Sequence, residues 1–249
     1  MISVIYIMWL RQLKRYFRSR WRIVGSLGRP LLFLMIFGFG FGPIYRRAGG
    51  GDYIAFLAPG IVAMAILFTA VFTGIELIWD RRFGFLKETF VAPVPRTAIM
   101  LGKTLGGATV AIIQGLVVML MAMLVGFRPF SLALLPLALL FMALTAIVFT
   151  SMGMAIASRM DDMHAFPLVM NFLVMPLFFL SGALFPIEGL PPTMNVLIKS
   201  NPMSYAVDGL RLSLAGAGQF SYLTDLAILA VAGTLLLAIG TALFRSIEA

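Results

Sequence analysis

Residues 79–103 read WDRRFGFLKETFVAPVPRTAIMLGK and stand between two long apolar runs. Asp80, Arg81, Arg82, Lys87, Glu88, Arg96 and Lys103 make this stretch far more charged than its flanks. If the flanks cross a bilayer, the stretch must lie in water, because unpaired charge at membrane depth is costly. Gly102, Lys103 and Thr104 pose a second question, since GKT resembles the end of a nucleotide-binding loop.

Composition decides the first point. The chain has 249 residues, 61% hydrophobic and only 12% charged, whereas soluble domains carry roughly 25% charged residues. This is the composition of a membrane protein. The absence of cysteine excludes disulfides and thiolate metal sites. The net charge of +9 does not point to nucleic acid, because the basic residues sit beside apolar runs, where they face lipid headgroups and set orientation. The opening MISVIYIMWL has no basic region before it and no small-residue cleavage site after it, so it does not read as a cleavable signal peptide.

A bilayer core of about 30 Å needs roughly 20 apolar residues per helix. Apolar segments run from Ile23 to Tyr45, Tyr53 to Trp79, Ala98 to Val125, Leu132 to Ala157, Ala165 to Pro186 and Leu223 to Phe244. They lack period-two alternation, so the expectation is an all-α membrane protein with six transmembrane helices rather than a barrel. Lys and Arg then fix the orientation. One face collects Arg11, Lys14, Arg15, Arg18, Arg20, Arg22, Arg81, Arg82, Lys87, Arg96, Lys103, Arg159 and Arg245; the other keeps Arg46, Arg47, Arg128, Lys199 and Arg211. By the positive-inside rule the richer face is cytoplasmic, with both termini inside, in the cell membrane. Residues 79–103 become a cytoplasmic loop.

Residues 1–22 form a separate unit, an amphipathic interface helix ahead of the membrane domain at 23–249. At 100° per residue Ile5, Trp9, Leu13, Tyr16, Phe17 and Trp21 share one arc, opposite Arg11, Lys14, Arg15, Arg18 and Arg22. Only Arg20 is out of place. Such a helix either anchors the chain in the headgroup layer or meets a cytoplasmic partner. Arg29, just inside the first run, is expected to snorkel toward the cytoplasmic headgroups.

A phosphate loop needs GxxxxGK[ST], and the first glycine is replaced here by Thr97 with no strand before it. No nucleotide site is read into the GKT, and Lys103 is expected to be an interfacial anchor; any ATP and magnesium would be held by a partner subunit. Asp161, Asp162 and His164 invite a metal or intramembrane-enzyme reading, but the only His lacks further ligands. A solvated turn that caps a helix fits better, so the chain is expected to carry no metal and no catalytic centre of its own. Glu76 sits one turn from the cytoplasmic end of its helix, within reach of the interface. Gln114 and Asn171 suit helix-to-helix hydrogen bonds or a pathway-facing role. The stretch from Pro186 to Tyr222, with Pro191, Pro192 and Pro202, suggests two short helices dipping into the outer leaflet, or an external cap.

Three blocks carry a family resemblance: DYIAFLAPGIVAM, then WDRRFGFLKETFVAPVPRTAIMLGKTLGG, then FLSGALFPIEGLP followed by NPMSYAVDGLR. In this order, over nearly the whole chain, they resemble the ABC-2 type transport permeases, most closely the daunorubicin-resistance type of membrane subunit. The resemblance implies a homodimer paired with two copies of a separate ATP-binding ATPase subunit. It makes the loop between spans 2 and 3 a short coupling helix that docks on that ATPase, and it places re-entrant helices between spans 5 and 6. The candidate coupling residues are Asp80, Arg81, Arg82, Phe83, Gly84, Phe85, Leu86, Lys87, Glu88 and Pro93. Phe83, Leu86 and Phe90 recur at helical spacing, and Pro93 and Pro95 stop the helix. Arg82 departs from the family pattern, which has an acidic residue there.

The resemblance further implies a permease of an ATP-driven exporter for an amphiphile such as a drug, lipid or lipid-linked molecule, with multidrug resistance as one context. A polysaccharide or glycoconjugate exporter is the alternative within the fold, and an intramembrane enzyme the alternative outside it. The pathway would be lined by Phe33, Phe37, Phe68, Phe72, Met175 and Phe178, although a Met and aromatic stripe also serves as ordinary packing.

Overall fold

The computed structural model describes residues 1–47, 51–91, 93–187 and 191–247, with the side chains of Arg20 and Arg22 outside the description. The expected place of Arg22 on the basic arc, and of Arg20 off it, therefore lies outside the described residues, as do residues 188–190 of the third resemblance block. Eleven α-helices are formed and, among the described residues, no strand. They are α1 (Ile2–Arg18), α2 (Arg20–Arg47), α3 (Tyr53–Phe72), α4 (Ile75–Arg82), α5 (Phe85–Val91), α6 (Arg96–Leu124), α7 (Leu135–Ala157), α8 (Ala165–Phe179), α9 (Pro192–Ser200), α10 (Pro202–Ala215) and α11 (Tyr222–Arg245).

Among the described residues five stretches are long and apolar enough to cross a membrane: Ile23–Arg47, Tyr53–Arg82, Arg96–Leu124, Leu132–Ala157 and Tyr222–Arg245. The second of these joins α3 and α4. The segment expected as a span from Ala165 to Pro186 is helical only to Phe179, over 15 residues. At about 1.5 Å per residue that helix falls short of a hydrocarbon core of about 30 Å. Its end is fixed locally, where the Ser181 hydroxyl donates to the Phe178 carbonyl.

Helix α3 forms the centre. Residues Leu57 to Leu67 on it are almost wholly buried, and it packs on α2, α6, α7 and α10. Helices α2 and α11 are peripheral and turn apolar side chains outward, among them Leu32, Met35, Ile36 and Phe39 on α2. Apolar side chains left outside are what a bilayer or a second subunit would cover.

The stretch after α8 contains the two expected short helices. Pro192 and Pro202 each occupy the first turn of theirs, where a missing N–H leaves no bond unmade. Helix α9 is mostly exposed while α10 is almost wholly buried against α3, α7 and α11. Three straps hold α10. The Asn201 amide donates to the Leu177 carbonyl at 2.7 Å and the Arg211 guanidinium to the Gly182 carbonyl at 2.8 Å. The Asp208 carboxylate accepts from the backbone N–H groups of Gln219 and Phe220 at 2.8 and 2.9 Å.

Candidate functional site

Helix α1 does not lie apart from the bundle. It packs along α6, and the contact is made by the residues around the GKT. A Cβ on Gly102 would sit 2.6 Å from the Met8 Cβ, and one on Gly106 would sit 2.6 Å from the Gln12 Cβ. Gly102 and Gly106 are four residues apart on one face of α6, the spacing that lets two helices approach backbone to backbone. The glycine of the GKT therefore seats a helix.

The lysine has an equally structural place. Lys103, expected at the interface, is 1% exposed and closes on the Asp80 carboxylate of α4. Asp80 is itself buried and accepts two parallel bonds from Arg11 of α1, at 2.8 and 2.9 Å. Arg15, one turn along α1, lies 3.5 Å from Asp80 and 3.9 Å from Glu76. Glu76 is buried among these groups. Arg11 and Arg15 lie over the rings of Phe85 and Trp79, at 3.4 and 5.3 Å from their centroids, an arrangement that favours guanidinium over ammonium.

These contacts redistribute the two faces of α1. Tyr16 and Gln12 are buried against α6, with the Tyr16 hydroxyl donating to Gln114 at 2.8 Å and the Trp9 indole to Thr109 at 3.0 Å. Phe17 and Trp21, from the expected apolar arc, are exposed. Arg11 and Arg15, from the expected basic arc, face acids of the same chain, while Lys14 and Arg18 face outward. Two cations of the basic arc turn toward the bundle, because Asp80 and Glu76 bring carboxylates within their reach.

The candidate coupling residues separate into two groups. Asp80, Leu86 and Phe85 point inward, Leu86 being wholly buried and Phe85 lying under Arg11. Arg81 binds the end of α7, donating to the Ser158 carbonyl at 3.1 Å and pairing with Asp161. The remaining set is outward: Phe83 is 75% exposed, and Arg82, Lys87, Glu88 and Pro93 are exposed with it. Gly84 makes this possible, since its φ of 78° turns the chain sharply between α4 and α5 in a region that other residues avoid. Phe83, Leu86 and Phe90 do not share a face, because Phe83 precedes the turn while Leu86 and Phe90 pack inward, Phe90 against Phe244. Arg96 closes the loop by donating to the carbonyls of Arg245 and Ile247 at 2.7 and 2.9 Å.

Of the six residues expected along a pathway, Phe68 and Phe72 line one cavity, and Phe33, Phe37, Met175 and Phe178 lie outside its lining. Phe68 and Phe72 of α3 line a space of about 340 Å³ with Tyr16, Ser26, Arg29, Met64, Thr69 and Asn171. Phe33 and Phe37 stack on each other at 5.3 Å, and Phe33 meets Phe178 edge-on at 6.2 Å. Phe178 is buried as core, and Met175 is half-buried on the same helix. Arg29 lies 4.4 Å above the Phe68 ring.

The alternative chemistry has no support in the geometry. Asp161 is exposed and paired with Arg81, and Asp162 accepts the His164 backbone N–H at 2.7 Å as a turn residue. Among the described residues no three His, Cys, Asp or Glu side chains gather as a metal site.

A multi-pass helical membrane protein with an exposed charged knob between two of its spans is the class these features define. Residues 3–215 match the ABC-2 type transporter family. The chain belongs to that family. It is 32% identical over 198 residues to nodulation protein J of Rhizobium leguminosarum bv. trifolii, covering 78% of this chain and 74% of that one. It is 30% identical over 216 residues to nodulation protein J of Sinorhizobium fredii, covering 84% and 81%. The inner membrane transport permease YadH of Escherichia coli is 28% identical over 231 residues, covering 90% and 87%.

Proposed function

We propose that the chain is the permease subunit of an ATP-driven exporter that moves an amphiphilic molecule across or out of the cytoplasmic membrane. ATP is bound and hydrolysed on a separate ATP-binding subunit, and two copies of this chain form the membrane half. The observation that carries the reading is the exposed knob of Arg82, Phe83, Lys87 and Glu88 on a loop otherwise pinned to the bundle by Asp80, Arg81 and Arg96. A projecting aromatic among charges is the kind of anchor that docks into a protein groove, and its rigid base can pass a push to α1, α4 and α6 together. Arg82 adds a cation to this knob, so the ATPase groove is expected to offer it a carboxylate.

Family membership and the relatives named as transport permeases support transport. In this reading α8 and the turn after it complete a sixth crossing, α9 and α10 dip into the outer leaflet, and both termini are cytoplasmic. The outward apolar face of α2 supports a dimer contact, and the outward Lys14 and Arg18 support contact of α1 with anionic lipid. The test is co-reconstitution of both subunits in vesicles. A labelled amphiphile should cross with ATP and stay without it; ATP-independent or absent movement across a broad panel of amphiphiles would count against the reading.

A further inference from the structure

The cavity among α1, α2, α3 and α8 opens beside an exposed cation. Arg29 lines it, and no Asp or Glu does. Among the described residues no carboxylate lies within ion-pair distance of Arg29. Arg11 and Arg15 of α1 have carboxylates; Arg29 has the face of Phe68, at 4.4 Å. Asn171 lies on the opposite wall. The rest of the wall is apolar: Met64, Ala65, Phe68 and Phe72. A volume of about 340 Å³ lies within the range of small-molecule sites.

We propose that this cavity binds the anionic headgroup of an amphiphile, with the Arg29 guanidinium pairing with the anion and the apolar tail lying along the aromatic side chains of α2 and α3. The planar fork of arginine suits a phosphate, sulfate or carboxylate. Arg29 is six residues into the apolar run that begins at Ile23, so the site lies a short way inside the cytoplasmic edge of the membrane. There a headgroup can enter while its tail stays in lipid. The row formed by Phe33, Phe37 and Phe41, stacked at 5.3 and 5.5 Å, leads away from Arg29 along α2 and offers the tail a continuous wall. This proposal rests on the transport reading for the statement that the bound amphiphile is cargo, and it gives that cargo a charge.

The test uses the full chain in maltoside micelles, which contain no phosphate, and needs no ATPase. Tritiated didecyl phosphate is compared with didecanoylglycerol, its uncharged counterpart, and inorganic phosphate is added as a competitor. The wild type should prefer the phosphate by about tenfold or more, in line with a charge-assisted hydrogen bond. Arg29→Gln should lower didecyl phosphate binding to the level of the neutral probe, and Arg46→Gln, outside this cavity, should leave it unchanged. Asn171→Asp places a negative charge beside the expected anion position and should weaken didecyl phosphate without weakening didecanoylglycerol, which separates an electrostatic site from a folding defect. Equal binding of both probes by the wild type, or a preference that survives Arg29→Gln, overturns the proposal. Full displacement by inorganic phosphate also overturns it, because the site would then take a free anion. Since binding is read without ATP, a failure of transport leaves this result standing, and a failure of binding leaves transport untouched.

Discussion

Lys103 and Asp80 stand at opposite ends of the charged loop and close on each other inside the protein. Lys103 is 1% exposed and Asp80 4% exposed, and Arg11 brings α1 to the same carboxylate. The amphipathic helix, the last turn before the loop and the first turns after it are thus held at one point. Removing one member of a buried pair leaves a charge without compensation, at a cost of about 3–5 kcal/mol. Asp80→Asn should lower the thermal midpoint of the purified chain markedly. Asp80→Asn combined with Lys103→Met should recover much of that loss, because neither charge then remains buried.

The Gly102 and Gly106 seam makes an independent claim about α1. Gly106→Leu has no room, since even a Cβ would meet Gln12 at 2.6 Å. The helix should be pushed off α6, with a loss of about 1–3 kcal/mol from overpacking. The chain contains no cysteine, so a single cysteine at Gln12 reports the change cleanly. It should resist a water-soluble maleimide in the parent and react in the Gly106→Leu variant.

The exposed half of the loop should matter to the partner and not to the fold. Phe83→Ala should reduce co-purification of the ATP-binding subunit about tenfold or more, the loss expected for an anchoring aromatic, with the melting temperature of the chain unchanged. Reversing Lys87 and Glu88 together should weaken the complex by altering charge pairing. Leu86→Ala should do the opposite, lowering stability first, because Leu86 is wholly buried.

The turn between α7 and α8 gives a dependence on pH. Backbone N–H groups of His164 and Ala165 hold the Asp162 carboxyl below its usual value of 3.8. A carboxylate with a depressed folded pKa contributes stability above its unfolded value, and the contribution is lost as pH falls through the folded pKa. The difference in melting temperature between wild type and Asp162→Asn should therefore be constant from neutral pH to about pH 5 and shrink as pH falls below the unfolded value. A difference that grows on acidification would contradict this role.

Much of the architecture was legible in the sequence because the bilayer imposes one strong rule, a long apolar run for each crossing. Five runs became helices of sufficient length, and Pro192 and Pro202 marked the starts of α9 and α10 as the proline rule requires. The crossing that began at Ala165 was overextended, because hydropathy continues past Phe179 while the helix does not. Site detail was harder to read. Periodicity on α1 grouped its arginines as one solvated face, and only the fold shows that Arg11 and Arg15 meet Asp80 and Glu76. Opposite charges at Asp80 and Lys103, together with the Gly102 and Gly106 spacing, were the available signals.

On the proposed function this chain transmits ATP-driven motion and binds no nucleotide itself. The most direct measurement is ATP hydrolysis by the purified chain alone, by the ATP-binding subunit alone, and by the two reconstituted together in vesicles. The chain alone should hydrolyse none, and the rate in the complex should fall toward the ATPase's own level with Phe83→Ala. Hydrolysis by the chain alone, abolished by Lys103→Met, would contradict that function.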